Sequence, residues 1–211
     1  MPWQKQKPLF ILFEGGEGSG KTTQTQILFQ RLKRAGRQVK YNDEPGSTAS
    51  GFKIRNLLLG AKPGELDGLS EFLLFEADRA LDFNLNIIPL LEDGVDVVQD
   101  RNFGSTFAYQ GYARGLIKKY GKLMKDVDRA ARYGYYPDII FFLDGDPKKL
   151  LKRIKKATSF EKEKLEFHNA VRGGFLIQAK QDKKHWIVLD ATKPIKVLED
   201  EIWQRVSRLI N

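Results

Sequence analysis

The sequence predicts an α/β domain of three layers, a five-stranded parallel sheet flanked by helices, and three observations point to it. Five short apolar, branched or aromatic runs (residues 9–13, 38–41, 95–99, 138–143 and 186–189) are continuous rather than alternating, the pattern of strands buried on both faces. Longer segments with helical spacing lie between them. Four of the five runs are followed at once by an acid: Glu14, Asp100, Asp144 and Asp190. Strand–helix alternation folds with right-handed crossovers, and ligands of such sheets sit at the carboxyl ends of the strands. These acids therefore mark where chemistry is expected, and some of them are as well explained as caps of the following segment.

Taken in order, the run 9–13 enters a glycine-rich turn. Residues 23–35 set Ile27, Leu28, Gln30, Arg31 and Leu32 in a 3.6-residue pattern and stop at Gly36, a residue suited to the position just past a helix end. Residues 69–91 are long and strongly apolar, and Pro89 breaks them. Residues 161–184 read as a helix carrying His168, assigned a structural or surface place. Two histidines in the chain make a histidine metal site improbable. After Pro194, an allowed starter, Ile195, Leu198, Ile202, Val206 and Leu209 form one stripe. Asp144 is assigned mainly as a structural cap. There is no internal repeat, low-complexity tract or linker, so residues 1–211 are expected to form a single domain.

Composition narrows the function only by exclusion. Hydrophobic residues make up 41% and charged residues 30%, a soluble balance. The longest apolar runs, 9–13 and 139–143, are far too short to span a bilayer. The basic start MPWQKQKP leads into glycines rather than a secretory core, so no signal is expected. With no cysteine, disulfides, zinc-thiolate sites and thiol nucleophiles are excluded, which fits a cytoplasmic location. The net charge of +9 suits nucleic acid or small polyanions equally, and no nucleic-acid motif accompanies the spread lysines. Neither nucleic acid nor membrane is expected as a partner.

The strongest signal is Gly15-Gly16-Glu17-Gly18-Ser19-Gly20-Lys21-Thr22, followed by Thr23. It fits G-x-x-x-x-G-K-[ST] without a mismatch, after a strand and before a helix, the context the motif requires. Glycines let backbone N–H groups converge on phosphate oxygens, and the helix N-terminus faces the same anion. Lys21 would reach the β- and γ-phosphates and the Thr22 hydroxyl would ligate Mg²⁺. This predicts the P-loop NTPase fold with a nucleoside triphosphate or a close relative as ligand. No N-K-x-D guanine-reading motif is present, and the small size argues against a motor.

Further segments follow in a fixed order: Glu44-Pro45-Gly46-Ser47-Thr48, Ile54-Arg55-Asn56, Leu74-Phe75-Glu76-Ala77-Asp78-Arg79, Asp100-Arg101-Asn102, Ser105-Thr106-Phe107-Ala108-Tyr109-Gln110-Gly111, Pro137-Asp138-Ile139-Ile140, then Phe160-Glu161 and Phe167-His168-Asn169-Ala170-Val171-Arg172. Over about residues 8–210 this series resembles the thymidylate kinase family. Two pieces also have a reading of their own. Phe75 and Arg79, four apart, share a helix face, where a ring can cover a base and a guanidinium can bond its carbonyl edge; core and surface charge would explain them without the neighbouring motifs. Arg101 suits a grip on the acceptor phosphate, and Asp100 suits either Mg²⁺ through water or orientation of Arg101.

The resemblance implies phosphoryl transfer from Mg-ATP to dTMP, with Lys21, Asp100, Arg101 and Arg153 as the catalytic set. It further implies that Phe75 stacks on thymine, Arg79 bonds its O4, Thr106 bonds its edge and Gln110 adds a base contact. Tyr109 would pack on the sugar and disfavour a 2′-hydroxyl, Glu17 would meet the 3′-hydroxyl, and Arg55 and Ser105 would join the monophosphate site. A homodimer is implied, to which residues 72–91 could contribute, although a buried helix explains them as well. A cis Glu44–Pro45 bond is implied too.

Two departures stand out. The phosphate loop carries no arginine, and the short lid at about 153–160 has Thr158-Ser159 where Asp-Arg is expected, leaving Arg153, Lys155 and Lys156 to supply charge. An in-cis arginine is worth about 10³-fold or more in rate. Asp43 stands where many bacterial members have arginine. These departures motivate the alternatives of a nucleotide-binding protein with weak turnover, or a kinase with another acceptor monophosphate.

Overall fold

The structure, a computed structural model, describes residues 7–62, 64–154, 160 and 163–210. Five parallel strands form one sheet: β1 (Phe10–Gly15), β2 (Val39–Asp43), β3 (Asp96–Asp100), β4 (Ile139–Asp144) and β5 (Trp186–Asp190), in the spatial order β2-β3-β1-β4-β5. The predicted sheet is therefore present. Most strands end one or two residues later than their apolar runs, so Asp43, Asp100, Asp144 and Asp190 are the last residues of strands rather than the first of loops.

The unbroken apolar runs have a simple physical basis. Successive side chains of a strand face opposite sides. Ile11 and Phe13 of β1, with Ile139, Phe141 and Leu143 of β4, enter the core on one face of the sheet. Leu12, Ile140 and Phe142 enter the core on the other. The first core is closed by Leu28 and Leu32 of α1 (Lys21–Arg34) and by Leu198, Ile202 and Val206 of the last helix. Each fully buried Leu, Ile or Phe contributes about 1.5–3 kcal/mol.

Between strands run α2 (Ala49–Gly60) and α3 (Gly68–Asp82), the latter started by Asp67, whose carboxylate accepts from the Ser70 N–H. Here the expected break at Pro89 is corrected. The chain stays helical beyond α3 through a π-helical turn, Phe83–Ile87, into α4 (Ile88–Glu92). A proline lacks an N–H and crowds the carbonyl four residues earlier; the wider π turn just before it accommodates both demands without ending the helix.

After β3 come the short α5 (Phe103–Thr106), a second π-helical segment (Phe107–Ala113) and α6 (Ile117–Ala131). Beyond β4 lie α7 (Pro147–Leu150), a 3₁₀ turn (Leu151–Arg153), α8 (Leu165–Gln181) and, past β5, α9 (Ile195–Ile210). His168 is buried in α8 and its Nε2 has no partner among the described residues. Asp144 is a clamp rather than a cap: its two oxygens accept from Arg172 Nε and Nη2 of α8 at 2.7 and 2.9 Å. Lys155, Lys156, Thr158, Ser159 and Glu161 lie outside the described residues, as does most of the expected lid. Among the described residues no helix is long and apolar enough to cross a membrane.

Candidate active site

The turn from β1 to α1 depends on glycine. Gly18 and Gly20 have φ of 71° and 86°, and a Cβ on Gly18 would lie 2.2 Å from the Leu150 carbonyl oxygen. α1 begins at Lys21, so its first N–H groups and Lys21 share the mouth of the turn. Lys21 is buried, and burial, followed by the nearby Arg101, pulls its amine below the usual range. The Thr22 hydroxyl donates to Asp100 Oδ2 at 2.5 Å, tying α1 to the end of β3. Asp100 Oδ1 and Ser19 Oγ are buried without a partner among the described residues.

Arg101, the first residue past β3, is held in the left-handed region at φ 67°, which costs a residue with a side chain about 1–3 kcal/mol. Its guanidinium is fixed on several sides. Nη1 donates to the Gly15 carbonyl (3.2 Å) and Ser105 Oγ (2.9 Å), and Nη2 to Glu17 Oε1 (2.6 Å). The Tyr109 hydroxyl donates to the same Glu17 oxygen at 2.7 Å. Burial pushes the Glu17 carboxyl up, but Arg101, Lys21 and Tyr109 together outweigh it and hold it at about 2. The loop acid is thus a fixed anion.

Glu14, the last acid of β1 and fully buried, sits behind this group. Its oxygens accept from the backbone N–H of Asn102 and Ser105 (3.0 Å each) and from the Ser105 hydroxyl (2.6 Å). Burial still dominates and lifts its carboxyl to about 7.

A third group surrounds Arg79, which is 1% exposed. Nε and Nη2 both meet Glu44 Oε2 (3.1 and 3.0 Å), Nη1 meets Glu76 Oε1 (2.6 Å), and Nη2 donates to Thr106 Oγ1 (2.9 Å). The sequence placed Arg79 on a base edge but did not reveal that most of its donors are engaged by acids. Gln110 is likewise buried, its amide donating to Glu71 Oε2 at 3.0 Å.

One cavity of about 320 Å³ joins these groups. Glu17, Lys21, Thr22, Arg55, Phe75, Arg79, Asp100, Arg101, Ser105, Thr106, Tyr109 and Gln110 all line it. Of the other residues expected in the site, Gly15, Gly16, Gly18, Ser19 and Gly20 form the loop beside it, and Thr23 is exposed on α1. Arg153 lies against the loop, its Nη1 directed at the carbonyls of Gly18 (3.4 Å) and Ala191 (3.0 Å). Tyr41, Asp43, Leu59 and Phe160 also line the cavity, and sequence reasoning did not assign them to it. The Glu44–Pro45 bond is cis.

A glycine-rich turn thus opens onto a cavity with an aromatic ring and a buried arginine, and the model of one family, described as thymidylate kinase, matches residues 13–202. The chain belongs to the thymidylate kinase family. It is 40% identical over 204 residues to a thymidylate kinase of Dehalococcoides mccartyi, covering 96% of this chain and 97% of that one. It is 40% identical over 202 residues to that of Deinococcus radiodurans, covering 94% and 96%. The crystal structure of thymidylate kinase from Ehrlichia chaffeensis superposes with a TM-score of 0.78 at 33% identity, covering 95% of this chain and 98% of that chain. As a thymidylate kinase the chain is an enzyme that phosphorylates dTMP. The reading as a binding protein with weak turnover finds no support in these matches.

For this kinase the buried Glu14 makes stability depend on pH. Its folded pKa of about 7 lies above the ordinary 4.5, so between those values the folded state holds a proton that the unfolded state releases. Its contribution is therefore greatest below about 4.5 and falls as pH rises through 7. Thermal melts of wild type and Glu14→Gln between pH 5.5 and 8 should show a Tm decline in the wild type that is shallower in the variant. Equal slopes would assign the proton elsewhere.

Proposed function

We propose that the γ-phosphoryl group of Mg-ATP is transferred to dTMP inside this cavity, giving ADP and dTDP. A phosphate oxygen of dTMP bonds to the γ-phosphorus as the β–γ bridging bond breaks, and ADP leaves with that pair of electrons. What carries the reading is the position of Arg101, lining the same cavity as Lys21 and pinned by Gly15, Ser105 and Glu17. Such transfers are helped mainly by alignment and charge neutralisation, and a prearranged guanidinium supplies both without reorganising. Lys21 and Arg153 serve the donor phosphates, and Arg55 and Arg101 the acceptor phosphate.

Thr22 and Asp100 would hold Mg²⁺. The buried Asp100 Oδ1, which has no partner among the described residues, is a suitable carboxylate oxygen beside a hydroxyl. Among the described residues no group of three or more His, Asp or Glu is placed to bind a metal, consistent with a cation that keeps waters and leans on substrate phosphates. When bound, Mg²⁺ would neutralise charge on the phosphates.

Phe75 supplies a face for the base. Thr106 accepts from Arg79, so its own hydrogen is available to a carbonyl oxygen, such as that at position 4 of thymine. Tyr109, held by Glu17, stands on the sugar side and disfavours a 2′-hydroxyl. The reading includes one domain with a short lid near residues 153–160. It also includes a homodimer, to which the exposed Phe52, Leu57, Leu73 and Leu85 would offer apolar side chains.

Steady-state ADP release with dTMP, dUMP, dCMP and UMP offered separately tests this. dTMP should give the highest kcat/KM. dCMP should fall by ~10²-fold or more, because its 4-amino group meets a donor where the site needs an acceptor. Saturable ATP binding without acceptor-dependent ADP would overturn the proposal.

A further inference from the structure

Asp43 is the acid that the proposed function leaves without a task. It ends β2, and its Cα is the register partner of Asp100 at the end of β3. Neighbouring strands lie about 4.8 Å apart, and in-register side chains project from the same face. The preceding pair supports the facing. Asn42 and its partner Gln99 point the other way and bond each other at 2.7 Å. Asp43 and Asp100 both line the large cavity.

Two carboxylates side by side repel unless something positive sits between or beside them. One described cation stands at the outer limit of an ion pair with Asp43. Arg55 Nη1 is 3.9 Å from Asp43 Oδ2 and is turned to the Pro45 carbonyl, which it meets at 2.6 Å. The Asp43 carboxylate has no hydrogen-bond donor among the described residues, and Asp100 Oδ1 is buried and unpartnered in the same cavity. Lys21 and Arg101 act on Asp100 through their charge, whereas Asp43 has Arg55 alone, at the edge of ion-pair range, among the described residues; the Thr22 hydroxyl lies alongside Asp100.

From this geometry we propose that Asp43 joins Asp100 and Thr22 in the divalent-cation site, as a carboxylate that reaches the cation directly or through one of its waters. This extends the Mg²⁺ reading given above and rests on it for Thr22 and Asp100. A carboxylate facing a phosphate site would by itself weaken acceptor binding. A shared cation reverses that sign, because a hard cation accepts carboxylate and phosphate oxygens together. The acceptor monophosphate then binds with the metal, not only after the metal has arrived with ATP. Arg55, close to Asp43, closes the other side of the same phosphate.

The test uses the full chain and Mn²⁺ as a spectroscopic stand-in, with free Mn²⁺ read by electron paramagnetic resonance, with and without saturating dTMP and without donor nucleotide. Wild type should bind one Mn²⁺ in the presence of dTMP, and Asp43→Asn should weaken that binding by roughly tenfold or more. In calorimetry, Mn²⁺ should tighten dTMP binding to wild type and leave Asp43→Asn nearly unchanged. Asp43 is half-exposed at a strand end, so the variant should fold, and matching thermal melts check this. Equal Mn²⁺ affinity in wild type and variant would overturn the inference. So would dTMP binding that the substitution strengthens regardless of metal, which would make Asp43 a simple repulsive charge. Mg²⁺-dependent turnover with no Mn²⁺ bound in the absence of donor would leave the kinase reading intact and remove this one. A failure of the kinase reading would show instead as absent dTMP turnover in the wild type.

Discussion

Arg101→Ala should lower kcat for dTMP phosphorylation by about three orders of magnitude, with ATP affinity changed little. Removing a positioned donor to developing charge costs ~10²–10³ in rate, and an arginine on a transferring phosphoryl group is worth ~10³–10⁵. Arg101 belongs to the upper range because its plane is set before substrate arrives. The Gly15 carbonyl, Ser105 and Glu17 already hold it at 3.2, 2.9 and 2.6 Å. In the proposed reading ATP rests on the loop and Lys21, so its binding should survive. Lysine at 101 keeps the charge but loses the fork that reaches Ser105 and Glu17 together, and should recover only a minor part of the rate. Steady-state kinetics at saturating ATP and dTMP, alongside fluorescence titration with an ATP analogue, measures both quantities. A kcat within tenfold of wild type would remove Arg101 from the chemistry.

The second large effect is on stability. Arg79→Met should destabilise the fold by about 3–5 kcal/mol, the cost of removing one partner from a buried ion pair. The neighbourhood explains why the loss is severe. Glu44, Glu76, Asp78, Asp82 and Asp128 are all buried near Arg79, and Arg132, paired with Asp128, is also buried. Methionine would fill the space yet leave Glu44 and Glu76 without the guanidinium that three of their contacts use. Against a typical total of 5–15 kcal/mol, this places the variant near the edge of folding. Urea unfolding at pH 7.5 gives the value directly. A change under about 1 kcal/mol would mean that the acids neutralise one another by taking up protons. Arg79→Met should also weaken dTMP binding, because Thr106 loses the donor that orients its hydroxyl.

Much of this site was legible in the chain. The phosphate loop is a local device: eight consecutive residues carry the glycines, the lysine and the hydroxyl, and the geometry follows from one turn between a strand and a helix. The strands were legible because a sheet covered on both faces needs apolar side chains at every position, as Ile11 and Phe13 against Leu12 show. Family resemblance supplied expected roles for Phe75, Arg79 and Thr106, and the fold brings all three to one cavity. The proline reading failed where a local rule met a tertiary demand. Phe83 and Ile87, fully buried with Phe10 and Val97, keep the helix in place, and a π turn absorbs Pro89.

The tertiary structure alone decided the partners of charges distant in sequence. Arg79 meets Glu44 across 35 residues, Asn102 meets Glu44 across 58, and Glu14 receives Ser105 across 91. Asp43 faces Asp100 only because β2 and β3 pair in that register. Residue types and short spacings determine a turn, a strand or a helix face, since those depend on neighbours within a few bonds. Which acid meets which base depends on strand order, register and the desolvation that packing imposes, and those are settled only when the sheet is assembled.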